Sequence, residues 1–307
     1  MIKIKLPKII VIVGPTASGK SALALRLAKL AQGKAFKKAG ILGAEIISAD
    51  SRQVYRNMDI GTGKVTKKEQ KIVKHHLIDV TSPKKQFTVN DFKRLGDRAI
   101  EEILTKEKTP IIVGGTGFYI DILLGRMQVA QVSPNKKLRA KLEKQSAEQL
   151  FKRLQKIDLN YSKIIDRHNK RRLIRALEIV LSTGSPIPKP IISNKYQVLW
   201  LGINPKNLEK RIAKRLDHRF AHGMISEVKN LIKNGSGHKR LQSFGLEYKW
   251  ISLYLQNKIS YLEMHENLLR DIIRYSKRQM TWFKRNREIR WLKDTKTTER
   301  LARCFLN

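Results

Sequence analysis

The residues with the most chemical content form one octet, Gly14-Pro15-Thr16-Ala17-Ser18-Gly19-Lys20-Ser21. It fits the pattern G-x-x-x-x-G-K-[ST], in which backbone N–H groups and a helix N-terminus face an anion, the lysine adds a point charge and the last hydroxyl can ligate Mg²⁺. A diphosphate or triphosphate is implied, and the ATP-type loop alone leaves open which phosphorylated molecule is held. A carboxylate, Asp50, ends the short apolar stretch Ala44-Glu45-Ile46-Ile47-Ser48. In open α/β sheets ligands bind outside the carboxyl ends of strands, so Asp50 is a candidate to face the same crevice as Lys20. The polar run from Asp50 through Ser51, Arg52 and Gln53 to Lys64 reads as a working loop rather than a plain connection. Gly114-Gly115-Thr116-Gly117 again puts glycines and a hydroxyl where a strand meets a helix. The His75-His76 pair has no histidine one helical turn away, and a hydrogen-bonded structural role is expected of it over metal ligation.

These residues need a scaffold. The β-branched run Ile9 to Val13 predicts a buried parallel strand, with a helix starting at Ala22 to Ala28 behind the glycine-rich turn. A basic, glycine-containing connection at 34–43 leads to the Ala44–Ser48 strand. Phe92, Leu95, Ala99 and Ile103 share a face of a helix running from Asn90 to about Lys106, and Thr109 to Val113 is a further strand. From Gly125 to about Tyr196 the pattern changes to basic amphipathic helices, broken at Thr183-Gly184-Ser185-Pro186 and Pro188-Lys189-Pro190. An inserted all-helical subdomain at 126–195 is expected, dividing a core of 1–125 and 196–307. The strand Gln197 to Ile203 re-enters the sheet. Leu208, Ile212, Leu216 and Phe220 then form an apolar stripe, with Arg211, Arg215 and Arg219 on another face, from which an arginine could reach the phosphates. In the last long helix Leu269, Ile272, Ile273, Ser276, Met280 and Phe283 are the expected packing face, and Arg270, Arg274, Lys277 and Arg278 lie apart from them.

A chain of 307 residues, 41% hydrophobic, can bury a sizeable core. Its formal charge of +38 favours a polyanionic partner, with nucleic acid foremost. No apolar stretch approaches the roughly 18 residues that cross a bilayer, so no membrane partner and a cytoplasmic location are expected, with monomer as the default state. The single cysteine, Cys304, excludes an intrachain disulfide and a cysteine-cluster zinc site. Any metal is expected to sit on oxygen ligands.

The octet is followed, in order, by Asp50-Ser51-Arg52-Gln53-Val54-Tyr55, Met58-Asp59-Ile60-Gly61-Thr62, His76-Leu77-Ile78-Asp79 and Gly114-Gly115-Thr116-Gly117-Phe118-Tyr119. Later come Arg172-Leu173-Ile174-Arg175-Ala176-Leu177-Glu178 and Lys277-Arg278-Gln279-Met280-Thr281-Trp282-Phe283. Together these motifs resemble the tRNA dimethylallyltransferase (tRNA isopentenyltransferase) family over nearly the whole chain. The resemblance implies an α/β fold, a P-loop NTPase-like parallel sheet flanked by helices with the helical insertion. It implies Mg²⁺-dependent transfer of a dimethylallyl group from dimethylallyl diphosphate to the exocyclic amino nitrogen of the adenosine adjacent to the anticodon (position 37) of tRNA, giving N6-isopentenyladenosine. By the same resemblance Asp50 is the general base, Thr16 and the octet contact the diphosphate, Lys20 and Arg215 stabilise its departure, and Ser21 holds Mg²⁺. Asp50, Ser51, Arg52, Gln53, Thr116, Arg139, Arg171, Arg172, Arg175, Lys277, Arg278, Gln279, Thr281, Trp282 and Lys284 are implied to grip the anticodon stem-loop. Two stretches depart from the family pattern: Gly63 stands where alanine is usual, and Ser243-Phe244-Gly245-Leu246 lacks a tyrosine directly after its glycine. The alternatives are a P-loop phosphotransferase, a prenyltransferase acting on free adenine nucleotides and a nucleic-acid-binding ATPase. The first needs ATP turnover, the second does not use the basic second half, and the third gives Asp50 no task.

Overall fold

The computed structural model of the chain describes residues 6–33, 42–130, 132–188, 195–292 and 294–306. Most of the basic connection at 34–43 and the Lys189-Pro190 break lie outside them. The chain divides into a core unit, Met1–Gly125 with Ser193–Asn307, and a second unit, Arg126–Ile192.

The core unit is built on a six-stranded, wholly parallel sheet. Its strands are β1 (Lys8–Val13), β2 (Ala44–Ser48), β3 (His75–His76), β4 (Thr109–Gly114), β5 (Gln197–Gly202) and β6 (Arg290–Trp291), in the order β3-β2-β4-β1-β5-β6. Alternation along β1 sends Ile9, Val11 and Val13 to one face and Ile10 and Ile12 to the other, and both faces are covered. A strand buried on both sides must be apolar throughout, which is why β1 reads as a continuous hydrophobic run. On one face Phe92, Ile100 and Ile103 of α3 (Val89–Leu104) pack with Ile120 and Leu123 of α4 (Gly117–Leu123). On the other, Ala24, Leu27 and Ala28 of α1 (Lys20–Leu30) cover β1, β2 and β4. Each fully buried Leu, Ile or Phe side chain among these contributes about 1.5–3 kcal/mol. The short helix α2 (Lys67–Ile72), opened by the capping box Thr66 and Glu69, leads into β3.

The parallel order has a direct consequence for chemistry. Strands β2, β4 and β1 are neighbours, so the segments leaving their carboxyl ends emerge side by side: Asp50 after β2, the Gly115 turn after β4 and the glycine-rich octet after β1. Strand β6 had no signal in the sequence; both its residues are exposed, and only pairing with Leu201 and Gly202 defines it.

The second unit contains α5 (Lys136–Glu143), α6 (Ala147–Ile157), α7 (Leu159–Ser162) and α8 (Lys170–Thr183) around Leu142, Leu150, Leu154, Leu173 and Leu177. Its polar centre is Glu178, fully buried. Arg139 donates to both carboxylate oxygens at 2.8 and 2.7 Å, Arg175 donates at 2.6 Å, and the Asn135 N–H adds a bond of 2.7 Å. Burial pushes this carboxyl up, but the hydrogen bonds from Arg139 and Arg175 hold it down at about 2.

Behind the sheet's carboxyl edge the core unit adds a helical layer of α9 (Leu208–Ala221), α10 (Met224–Lys233), α11 (His238–Phe244), α12 (Leu246–Tyr254) and α13 (Tyr261–Phe283). Its own apolar cluster includes Ile212, Leu216, Val228, Tyr248, Leu268 and Ile272. The packing face of α13 is Met264, Leu268, Ile272, Ser276, Gln279 and Phe283, shifted from the expected set. Leu269, Ile273 and Met280 are only partly buried, and the helix starts at a Ser260–Glu263 capping box well before Leu269. The last helix, α14 (Thr295–Leu306), places Ala302 and Leu306 in the cluster over α1.

Candidate active site

The octet turns as its glycines allow. Gly14 has φ +152°, and a Cβ there would lie 2.4 Å from the Ile203 carbonyl oxygen; Gly19, at φ +99°, caps α1. Lys20 folds back over the turn, its Nζ donating to the Pro15 carbonyl at 2.7 Å. The loop is held from two helices. From α13, Gln279 accepts the Thr16 N–H at 2.8 Å through Oε1 and donates to the Gly115 carbonyl at 2.8 Å through Nε2. From α9, Arg211 donates to the Ala17 carbonyl at 2.9 Å, and Arg215 donates to the Thr16 hydroxyl. One turn further, Arg219 donates to the Gly61 carbonyl and to the buried carboxylate of Glu247. The arginine stripe therefore runs along this edge of the site, and Arg215 is the member that lines the cavity with Lys20.

Asp50 is fixed by its own backbone turn. Its Oδ1 accepts the N–H groups of Arg52 at 2.8 Å and Gln53 at 3.3 Å, and Oδ2 has no protein partner among the described residues. Ser51 N–H donates to the Thr116 hydroxyl at 3.4 Å, tying the Asp50 loop to the Gly115 turn. Gln53 accepts the Ser48 hydroxyl at 2.9 Å and donates to the Gly63 carbonyl at 3.3 Å. Lys20, Ser21, Asp50, Thr16, Arg215 and Tyr275 line a single cavity of about 90 Å³. The carboxylate and the anion-binding turn thus open onto one space.

Electrostatics there favour an anion. Burial first, then the Arg215 charge, pushes the Lys20 ammonium down to about 7, while Asp50 pulls it up. Burial and the Arg219 charge lower the Arg215 guanidinium to about 9. An arriving polyanion relieves this crowding of cations. Burial and the Asp50 charge raise the Tyr275 phenol to about 12, so it stays a donor at any physiological pH. Among the described residues no group of three His, Cys, Asp or Glu side chains is placed to hold a metal. The two histidines behave as hydrogen-bonded groups: His75 Nδ1 lies 2.8 Å from the Val73 carbonyl, and His76 Nε2 lies 2.7 Å from the buried Glu45 carboxylate.

The residues expected to grip RNA divide by environment. Arg171 and Arg172 on α8, and Lys277, Arg278, Thr281 and Lys284 at the end of α13, are exposed. Ser51, Arg52, Gln53 and Thr116 surround Asp50, with the Arg52 guanidinium donating to the Phe244 carbonyl at 3.0 Å. Gln279 does not belong with the exposed set: it is 6% exposed, and its amide is spent on the two turns. Arg139 and Arg175 are likewise committed to Glu178, so Arg175 does not join Arg171 on an open face although their spacing aligns them. Trp282 is half-buried and donates its indole N–H to Asp121 at 2.9 Å. Tyr275 and Glu247 were not anticipated at the site, and Arg219, one of the three arginines from which a phosphate contact was expected, instead holds the Gly61 carbonyl and Glu247. A tyrosine two residues before Lys277 carries no signal of its own, and the Arg219–Glu247 pair joins positions 28 apart.

An IPP transferase family model matches residues 53–286. A tRNA dimethylallyltransferase of Pelotomaculum thermopropionicum is 39% identical over 93% of this chain and 90% of its own length. The tRNA dimethylallyltransferase 1 of Syntrophus aciditrophicus is 42% identical over 90% and 89%. Among solved structures, the tRNA isopentenylpyrophosphate transferase of Bacillus halodurans superposes with a TM-score of 0.69 at 34% identity, covering 97% of this chain and 95% of that one. A eukaryotic dimethylallyltransferase acting on tRNA gives a TM-score of 0.74 at 27% identity, covering 90% and 70%. The parallel sheet flanked by helices accords with these solved structures, and the chain belongs to the IPP transferase family of prenyl-transferring enzymes, the tRNA dimethylallyltransferases.

Proposed function

We propose that this enzyme moves a dimethylallyl group from dimethylallyl diphosphate to the exocyclic amino nitrogen of the adenosine adjacent to the anticodon in tRNA, giving N6-isopentenyladenosine. The observation that carries the reading is the shared cavity: Lys20 and Arg215, suited to a diphosphate, and Asp50, with one carboxylate oxygen left without a protein partner among the described residues, line the same space. In the reaction the bond between the prenyl carbon and the bridging oxygen breaks, with its electrons leaving on diphosphate, and a new bond forms from the amino nitrogen to that carbon. The nitrogen's proton passes to Asp50. An exocyclic aromatic amine is a weak nucleophile, so a carboxylate within reach of its proton supplies about 10²–10⁴-fold. Charge appearing on the leaving oxygens is met by Lys20, Arg215, Thr16 and the N–H groups of the octet, a preorganised arrangement of the kind that contributes most to such rates.

Ser21, which lines the cavity, would supply the protein's oxygen for Mg²⁺. A single hydroxyl suits that ion, which keeps several waters and takes its other oxygens from phosphate. When bound, Mg²⁺ supplies further neutralisation of the diphosphate. The acceptor adenine must leave its stack, which costs a few kcal/mol and least in a flexible loop. The exposed Arg171, Arg172, Lys277, Arg278 and Lys284, within a chain of charge +38, are suited to hold the surrounding phosphates. The test is direct: incubate the protein with Mg²⁺, dimethylallyl diphosphate and unmodified tRNA, then digest the tRNA and weigh its nucleosides. One adenosine heavier by a five-carbon unit, with one diphosphate released per event, is expected; ATP hydrolysis without a prenylated nucleoside contradicts the proposal.

A further inference from the structure

The loop between Met58 and Lys64 carries Thr62 and Gly63 into the wall of the cavity that holds Lys20 and Asp50. Loops of this kind usually leave their N–H groups to water. Here three consecutive ones are capped by a single distant side chain. Glu227, on α10, accepts the Asp59 N–H at 2.8 Å and the Ile60 N–H at 2.6 Å through Oε2, and the Gly61 N–H at 3.1 Å through Oε1. The same Oε1 accepts the Tyr248 hydroxyl at 2.8 Å. Arg219 donates to the Gly61 carbonyl at 3.0 Å, and Lys64, its side chain 3% exposed, donates to the Tyr55 carbonyl at 2.8 Å and to Asp79 at 2.6 Å.

Two glycines let these braces close on the loop. A Cβ at Gly61 would lie 2.8 Å from the Tyr248 hydroxyl, and one at Gly63, where φ is +59°, would lie 2.0 Å from Arg219 Nη2. Both oxygens of Glu227 are filled by protein donors, and Glu227 is absent from the cavity lining, so it can act on the site only through the loop. In a cavity of about 90 Å³, a shift of this wall changes a large share of the room available beside the cradle.

We infer that Glu227 is a positioning residue that fixes the 59–63 loop as a rigid wall beside the phosphate cradle and thereby limits the length of alkyl chain admitted with the diphosphate. This rests on the prenyl-transfer reading above. The comparison is of wild type, Glu227→Gln and Tyr248→Phe, each given unmodified tRNA with dimethylallyl diphosphate or with geranyl diphosphate. In Glu227→Gln an amide NH₂ replaces one acceptor and opposes the loop's N–H groups. Its kcat/KM with dimethylallyl diphosphate is expected to fall about tenfold or more, as misplacement of a wall predicts. The ratio of geranyl to dimethylallyl transfer should rise about tenfold, the scale on which pockets discriminate added carbons, while KM for tRNA stays unchanged. Tyr248→Phe removes one donor and leaves the three backbone bonds, so it should shift the ratio the same way by less. A ratio equal to that of wild type in folded Glu227→Gln overturns the inference, and if that variant does not fold, an unmoved ratio in Tyr248→Phe does so. Absence of any prenyl transfer by wild type would instead refute the underlying reading.

Discussion

Lys20 is the residue whose ordinary behaviour is most altered by its surroundings. With its ammonium pushed down to about 7 by burial and by Arg215, it is largely neutral at pH 8 in the ligand-free protein. A bound diphosphate needs it charged, so donor binding above pH 7 must take up a proton, and affinity should weaken by up to about tenfold per pH unit there. Titration calorimetry at pH 8 in buffers of different ionisation enthalpy should show uptake near one proton per donor bound; no uptake would contradict the assignment. The linkage also acts on stability. The unfolded chain keeps this proton up to about 10.5 while the folded chain sheds it near 7, so the Lys20 contribution rises as pH rises across that window. Thermal unfolding of the ligand-free protein at several pH values would report this, and Lys20→Met should flatten the slope.

At the scale of elements, buried polar anchors hold the pieces in place. Glu178 fixes the start of α5 to α8 through Arg139, Arg175 and the Asn135 N–H, so Glu178→Ala should destabilise the second unit by about 1–3 kcal/mol, the partly exposed guanidinium groups regaining water in place of the carboxylate. Because this carboxyl is held down at about 2, its stabilisation is present above the ordinary carboxylate range and fades as pH falls from about 4.5 toward 2. Gly63→Ala would force Arg219 from its place against Gly61 and strain a backbone at φ +59°, a loss of about 1–3 kcal/mol in denaturant unfolding. Local patterns announced much of this architecture. The strands β1, β2, β4 and β5 each centre on a short apolar run, and the Ser260-x-x-Glu263 box could have set the true start of α13. Strand β6 and the braces from Glu227 and Glu247 were not legible, because two exposed residues and contacts between distant segments leave no periodic trace. Gln279 illustrates the same limit: within its motif it reads as an RNA contact, and only the fold turns it inward between two glycine-rich turns.

For the whole molecule, charge and topology divide the work. A net charge of +38 implies that RNA binding is largely phosphate-driven, and affinity for tRNA should fall about 10³–10⁵-fold between 50 and 200 mM salt if six to ten phosphates are neutralised. A shallow salt dependence in a filter-binding series would argue against a broad cationic contact. The parallel order β2-β4-β1 brings Asp50 beside the phosphate cradle, and the sequence showed that pairing only as two strand ends; their adjacency came from the sheet. Asp50 as proton acceptor in that shared cavity is the central claim, and single-turnover transfer by Asp50→Asn with saturating dimethylallyl diphosphate and tRNA tests it most directly. The account predicts a rate lower by about 10²–10⁴-fold with donor and tRNA affinities retained. Transfer at a rate near that of the wild type would contradict it.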